Sequence, residues 1–279
     1  SAKTKVVTST ELLDIESVPP TLAIVGAGVI GMEFASAFNT FGSKVDVYEF
    51  LPECLPAIDK DIARRLRKSL EKRGVKFHMK YSVGNVDDLG ADVVLIATGR
   101  AANTDGLALE KAGISYDRKG ITVDDNMLTN VAGVYAVGDV NGRSMLAHAA
   151  EWQGRRAVNH IIGEHDDIRF DIMPSAIFTY PEAACVGPAE SELKEKGVEY
   201  AVHKSFYRAN GKALAIGETE GMMKIITDTS DRVISCHGYG AHAADLIQEV
   251  SALMNKEITL RQLHDIIHIH PTLSEILVQ

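Results

Sequence analysis

The stretch "TLAIVGAGVIGMEFASAFNTFGSKVDVYEF", residues 21–50, decides the fold. Thr21 to Val25 is an apolar run that stops at a glycine, the pattern of a strand buried on both faces of a parallel sheet. Gly26, Gly28 and Gly31 then spell G-x-G-x-x-G. Ile30, Phe34, Ala37, Phe38 and Phe41 recur at helical spacing, and Gly42 stands where such a helix should end. Val45 and Val47 alternate in the next strand, which finishes on Glu49. Alone, the glycine pattern is weak. Between a strand and a helix, with an acid closing the following strand, it predicts a dinucleotide cradle.

Each residue type has a reason to be there. Gly26 permits the tight turn, Gly28 lets the backbone approach a pyrophosphate, and Gly31 lets helix and strand pack closely. The helix N-terminus adds free N–H donors and the positive end of its dipole. Glu49 would accept hydrogen bonds from ribose hydroxyls and repel a 2′-phosphate, which favours NAD over NADP. The competing reading is a glycine-rich turn beside a surface glutamate.

The chain of 279 residues has room for about two domains. Its net charge of −9 argues against nucleic acid as a partner. No apolar run reaches the ~18 residues that span a bilayer, and the polar opening "SAKTKVVTSTELLD" has no apolar signal core. Cys54, Cys185 and Cys236 are scattered, which suggests thiols in a reducing compartment rather than a disulfide framework. A cytoplasmic location is expected, or the mitochondrial matrix if the source is eukaryotic.

Further along, Asp59 to about Arg73 reads as a helix with Ile62, Leu66 and Leu70 as its stripe and Gly74 as its stop. "VKFHM" and "ADVVLIATG" read as strands, with only Lys80 to Ala91 between them. Val134 to Val137 reads as another apolar strand, followed by a helix from near Met145 to Ile162. Composition shifts over residues 165–173. Beyond that point "SAIFTYPEAACVG", "VEYAVHKSF", "MMKIITD" and "RVISCHGYG" alternate like antiparallel strands. A helix is expected over Ala241–Met254, and Thr259 with Gln262 has capping-box spacing for the next.

Five segments together carry a resemblance: residues 26–49, "ATGRAANTDGL" (97–107), "GVYAVGDVNGRSMLAHAAEWQGR" (133–155), "IFTYPEAACVG" (177–187) and "HIHPTLSE" (268–275). In this order they resemble the pyridine nucleotide–disulfide oxidoreductases, most closely the dihydrolipoamide dehydrogenases among them. The resemblance implies an α/β chain: a Rossmann-like NAD-binding domain, the remainder of an FAD-binding domain, then an α+β interface domain that forms a homodimer. The boundaries it implies are a lead-in over 1–19, NAD-binding 20–98, FAD-binding 99–168 and dimerisation 169–279. It implies that Gly99 and Glu33 lie near the nicotinamide. It further implies that Asp139 bonds the flavin ribityl chain and that amides at Leu146, Ala147 and His148 face the flavin ring. The activity implied is oxidation of dihydrolipoamide with reduction of NAD. The partner would be the lipoyl domain of a 2-oxo acid dehydrogenase or glycine cleavage complex. The alternatives are a stand-alone NAD-binding dimerisation module and another disulfide reductase or NADH oxidase of this fold.

The sequence departs from the family in three respects. It contains neither the family's opening FAD fingerprint nor its Cys-x-x-x-x-Cys pair, so residue 1 is expected to fall where the first domain leads into the NAD domain. Residues 80–91 are shorter than the family's antiparallel excursion. The chain ends soon after "HPTLSE", where a further helix is usual. Thiol–disulfide exchange needs a thiolate beside its partner sulfur. The chain alone is therefore expected to be inactive with lipoamide and to hold FAD weakly or not at all.

In the family the second histidine of "HIHPTLSE" is the acid–base group, and a glutamate five residues on orients it. His270 and Glu275 match. The chemistry is sound in general, since imidazole titrates near neutrality and a carboxylate fixes its tautomer. The plainer reading is a capping box, Thr272 with Glu275, after a proline that holds His270 extended. One carboxylate has two oxygens, so both can hold. His268 reads as a packed histidine. The grouping of His264, His268 and His270, with His237 and His242 nearby in sequence, matches no zinc pattern, and no metal site is assigned.

Overall fold

The computed structural model describes residues 5–279. Its elements in chain order are β1 (Lys5–Val7), α1 (Ser9–Leu13), β2 (Thr21–Val25), α2 (Val29–Thr40), β3 (Lys44–Glu49), α3 (Lys60–Lys72), β4 (Lys76–Met79) and β5 (Val93–Ile96). These are followed by β6 (Tyr116–Asp117), β7 (Gly120–Ile121), α4 (Ala147–Ile162), β8 (Ser175–Ile177), β9 (Glu182–Val186), α5 (Glu190–Glu195) and β10 (Ala201–Phe206). The last are α6 (Gly211–Ile216), β11 (Met222–Thr227), β12 (Val233–Gly240), α7 (Ala243–Met254) and α8 (Leu260–His264), with short 3₁₀ turns between some of them. The chain forms two compact units, 1–98 with 174–279 and, separately, 99–173.

The first unit holds two five-stranded sheets. One is parallel, ordered β1-β5-β2-β3-β4. Its middle strand β2 buries Leu22, Ala23 and Ile24 completely, which is why it reads as an unbroken apolar run. Helix α3 starts on Asp59, whose Oδ1 accepts the Asp61 N–H at 3.0 Å. Its Ile62, Leu66 and Leu70 are fully buried, each contributing roughly 1.5–3 kcal/mol. The second sheet is antiparallel, ordered β10-β11-β12-β9-β8, with α7 laid across β9 and β12. Core residues of the two sheets form one cluster, from Val7 and Leu22 through to Met222 and Tyr239.

A buried ionic network fastens one sheet to the other. Lys224 of β11, 1% exposed, sends its Nζ to Asp59 at 2.8 Å and to Glu190 at 2.5 Å. Burial opposes its charge, yet the hydrogen bonds to Asp59 and Glu190 leave its pKa raised. Hydrogen bonds from Lys194 and then Lys224 draw Glu190 down to about 2. Beside them His237 is buried, and its Nδ1 accepts the Asp59 backbone N–H at 3.0 Å. Nε2 then carries the hydrogen, toward the Gly187 carbonyl at 3.2 Å. Burial lowers the His237 pKa.

Two expectations need correction. The buried face of α2 is Gly31, Met32, Ala35, Ser36 and Phe38. Phe41 is 64% exposed, and Phe34, Phe38 and Phe41 make an aromatic ridge with centroids 6.0 and 5.9 Å apart. Small residues let the helix sit close to the sheet beside buried Phe38, and Phe41 is left on the flank. Val134–Val137 is not a regular strand: Tyr135 forms a single bridge, to Leu128, while the Val134 carbonyl accepts the Thr129 N–H at 2.9 Å and the Ala136 N–H donates to the Met127 carbonyl at 3.1 Å. Part of the lead-in over 1–19 is β1, which pairs with β5 as the sheet's edge. Its residues 1–4 lie outside the described residues. Where the family's excursion was found short, residues 80–92 contain a single 3₁₀ turn, Val86–Leu89.

The second unit is smaller. A β6–β7 hairpin, a 3₁₀ turn at Gly138–Asn141 and α4 surround a core of Leu109, Ile121 and Ala136. Buried Gln153 of α4 accepts the Gly138 N–H at 2.7 Å and a hydrogen from Asn141 Nδ2 at 2.8 Å, holding that turn against the helix.

Candidate functional site

At the carboxyl end of β2 the chain turns through Gly26, with φ of +107° and its N–H on the Tyr48 carbonyl at 2.8 Å. A Cβ here would lie 2.3 Å from the Ala97 oxygen, and one on Gly31 would lie 2.0 Å from the Gly26 oxygen. Both glycines are demanded by close backbone contact. Gly28 differs: nothing lies within 4 Å of an added Cβ. Its hydrogen stands over open space at the N-cap of α2, where the first intrahelical bond is Met32 N–H to the Gly28 carbonyl. The N–H groups of Val29, Ile30 and Gly31 therefore have no acceptor within the helix. Loop and helix end form a cradle that fits a diphosphate.

Glu49 closes the cradle. Its Oε2 accepts the Ala27 N–H at 2.6 Å and its Oε1 the Leu51 N–H at 2.7 Å. The Ala27 carbonyl accepts the Leu55 N–H at 2.9 Å, so Ala27 is held from both sides. Each carboxylate oxygen keeps a second lone-pair direction for a hydroxyl. Gly26, Gly28, Gly31 and Glu49 are thus together. Glu33 is on the same helix, where its Oε1 accepts the Phe178 N–H at 2.9 Å. Gly99, with φ of +125°, belongs to the second unit.

In that second unit Asp139 is exposed within the 3₁₀ turn. Leu146 is the N-cap of α4, and Ala147 and His148 are exposed in its first turn. Ala150 makes the first intrahelical bond, to the Leu146 carbonyl. The amides of Ala147 and Ala149 meet no acceptor inside the helix, and with the helix dipole they fit an electron-rich ring edge or an anion.

The C-terminal strap is neither strand nor helix over residues 265–272 and then enters a 3₁₀ turn, Leu273–Val278, with Thr272 as its N-cap. His270 Nδ1 lies 2.8 Å from Glu275 Oε1, while Glu275 Oε2 accepts the Thr272 N–H at 2.9 Å. The orienting pair and the capping box share one carboxylate. The Thr272 N–H and then His270 hold the Glu275 pKa below its usual range. An acceptor opposite Nδ1 places the imidazole hydrogen there, which leaves the Nε2 lone pair facing outward from a side chain 77% exposed. His268 is packed: its side chain is 6% exposed, with Nε2 at 2.9 Å from Glu249 and Nδ1 at 2.9 Å from the Ile266 carbonyl. Ile267 and Ile269 are 96% and 79% exposed.

Sequence reading missed two groups that hold this strap, Glu249 and the buried Asn210, which donates to the Thr272 carbonyl at 3.1 Å. Their partners lie 19 and 62 residues away, and no local spacing signals either. The three cysteines are free and buried. Burial pushes every one of these thiols up, with Glu53 adding to the effect at Cys54.

The profile described as pyridine nucleotide-disulphide oxidoreductase matches residues 1–154, and that of the family's dimerisation domain matches 173–279. The chain belongs to the pyridine nucleotide-disulphide oxidoreductase family. Among curated members, the dihydrolipoyl dehydrogenase of Chlamydia muridarum is 38% identical across 98% of this chain. The mitochondrial dihydrolipoyl dehydrogenase 2 of Arabidopsis thaliana is 39% identical across 97%. The chain spans 62% and 58% of the lengths of these two relatives. Of solved family structures, LpdA from Mycobacterium tuberculosis superposes with a TM-score of 0.90 at 30% identity, covering 98% of this chain and 63% of that one. The flavoprotein disulfide reductase RclA from Escherichia coli, as its Cu(II) complex, gives 0.90 at 30%, covering 98% and 67%.

Proposed function

We propose that this chain is the NAD-binding and dimerisation part of a dihydrolipoamide dehydrogenase. The observation that carries the reading is the His270–Glu275 contact at 2.8 Å on an exposed strap of the dimerisation domain. A bare nucleotide-binding module has no use for an oriented base with an outward Nε2, whereas a dithiol substrate needs one to yield its thiolate.

In this reading the amides of residues 26–31 bind the NAD diphosphate and Glu49 orients the adenosine ribose. Glu33, on α2, borders the nicotinamide. Asp139 and the α4 amides at Leu146, Ala147 and His148 would hold FAD. When bound, the flavin supplies the two-electron link between thiols and nicotinamide. His270 takes the substrate proton at Nε2, and Glu275 keeps Nδ1 protonated and the ring aimed. Exposed Ile267 and Ile269 fit a homodimer interface, so that each His270 serves its partner's site. The substrate is the lipoyl domain of a 2-oxo acid dehydrogenase or glycine cleavage complex. The location is cytoplasmic or the mitochondrial matrix; among the described residues no helix is long and apolar enough to cross a membrane.

The three buried thiols have no route to a redox disulfide, so these 279 residues alone should not turn over lipoamide. Titration calorimetry with NADH and NADPH, paired with a lipoamide assay, tests the reading. Heat with NADH, weaker heat with NADPH and no turnover are expected. Tighter NADPH binding, or turnover by the chain alone, would overturn it.

A further inference from the structure

His270 sits on an exposed strap, yet its use as a base demands a fixed direction. Asn210, with no exposed surface, lies beneath that strap and makes three kinds of contact. Its backbone N–H donates to the Tyr207 carbonyl at 2.9 Å, its Oδ1 accepts the Ala213 N–H at 3.0 Å, and its Nδ2 donates to the Thr272 carbonyl at 3.1 Å. The footing is rigid. Tyr207 is fully buried and its hydroxyl donates to the Ala241 carbonyl at 2.8 Å. Its ring lies so close to Gly221 and Gly240 that a Cβ on either would stand 2.4 Å away.

Thr272 is thereby held at both backbone groups, the carbonyl by Asn210 and the N–H by Glu275. Turning Thr272 would move its N–H off Glu275, whose other oxygen holds His270. We propose that Asn210 is a positioning residue for the His270–Glu275 pair: it sets Thr272, which aims Glu275, which fixes the imidazole tautomer. The functional meaning of this clamp rests on the reading of His270 as a base; the linkage itself rests on geometry alone. Capping of α6 does not account for it. A cap needs only Oδ1, and serine or aspartate would serve there as well. The Nδ2 bond to Thr272 is what asparagine adds.

The test is nitrogen-15 spectroscopy of the imidazoles in the 279-residue chain. Wild-type neutral His270 should be the Nδ1–H form. Asn210→Asp keeps the cap acceptor but faces the Thr272 carbonyl with an oxygen, and Nε2–H should become the majority form. Asn210→Ser, which caps without an Nδ2, should do the same. In both variants the His268 signals, held by Glu249, should stay in place, and Glu275 should titrate closer to an ordinary carboxylate. An unchanged His270 tautomer in either variant would overturn the proposal. Collapse of the His268 signals would also overturn it, because Asn210 would then be holding the whole strap rather than the pair. No turnover enters the measurement. A finding that His270 is dispensable for dithiol oxidation in a complete enzyme would therefore remove the function and leave the clamp standing.

Discussion

Two carboxylates organise the two regions of interest, and they do so differently. Glu49 spends both oxygens on backbone amides, Ala27 and Leu51, and so fixes the shape of a loop. Glu275 divides itself between one amide, Thr272, and one imidazole, His270, and so fixes the state of a side chain. The glycine loop is a steric object, built on two positions, Gly26 and Gly31, that cannot carry a Cβ. The strap is an electronic one, built from a relay of hydrogen bonds.

The largest effect should come from removing what lies beneath both. Lys224→Met leaves buried Asp59 without its cation, while half-buried Glu190 keeps Lys194, and should cost about 3–5 kcal/mol in a urea melt. A loss of less than about 1 kcal/mol would mean that the network adds little to the floor shared by the two sheets. Next, Gly31→Ala forces a Cβ against the Gly26 carbonyl. It should destabilise the chain by about 1–3 kcal/mol and abolish NADH heat. Gly28→Ala separates stability from binding: the melt should hold, and NADH affinity should fall about tenfold, or about 1.4 kcal/mol. Equal losses of stability at both glycines would break the steric account. Glu275→Gln should leave NADH affinity untouched while the amide NH₂ turns His270 to the Nε2–H tautomer, read by the same imidazole spectra.

The smallest effect is in pH. His237 is held neutral by burial and accepts a hydrogen bond at Nδ1, so its folded pKa lies below the unfolded one. As pH falls below about 6.5 the unfolded chain takes up this proton while the folded chain does not, and stability declines until the folded pKa is passed. His237→Asn should flatten stability between about pH 7 and 5 relative to the wild type.

Sequence reading succeeded where a requirement is local. Gly26, Gly28, Gly31 and Glu49 announce themselves because steric need and strand order are written within one short stretch. The capping boxes at Thr259 and Thr272 were legible for the same reason. It failed where the environment decides. Helical spacing grouped Phe41 with Ile30, Phe34, Ala37 and Phe38, while the buried face takes Ala35 and Ser36 and leaves Phe41 exposed. Val134–Val137 has the composition of a strand but pairs through a single bridge, Tyr135 to Leu128. Lys224, in "MMKIITD", looks like any outward residue of an alternating strand, and its two carboxylates come from far away in the chain. Of the dyad, His270 and Glu275 could be paired from the motif; Asn210 and Glu249 could not.

The bond between Lys224 and Asp59 joins positions 165 residues apart. The helix that Asp59 begins cannot complete its footing until β11 has left the ribosome, after the whole of residues 99–173 has been made. Folding of the nucleotide-binding half is thus tied to late translation, and amide exchange should find the parallel and antiparallel sheets opening as one foldon.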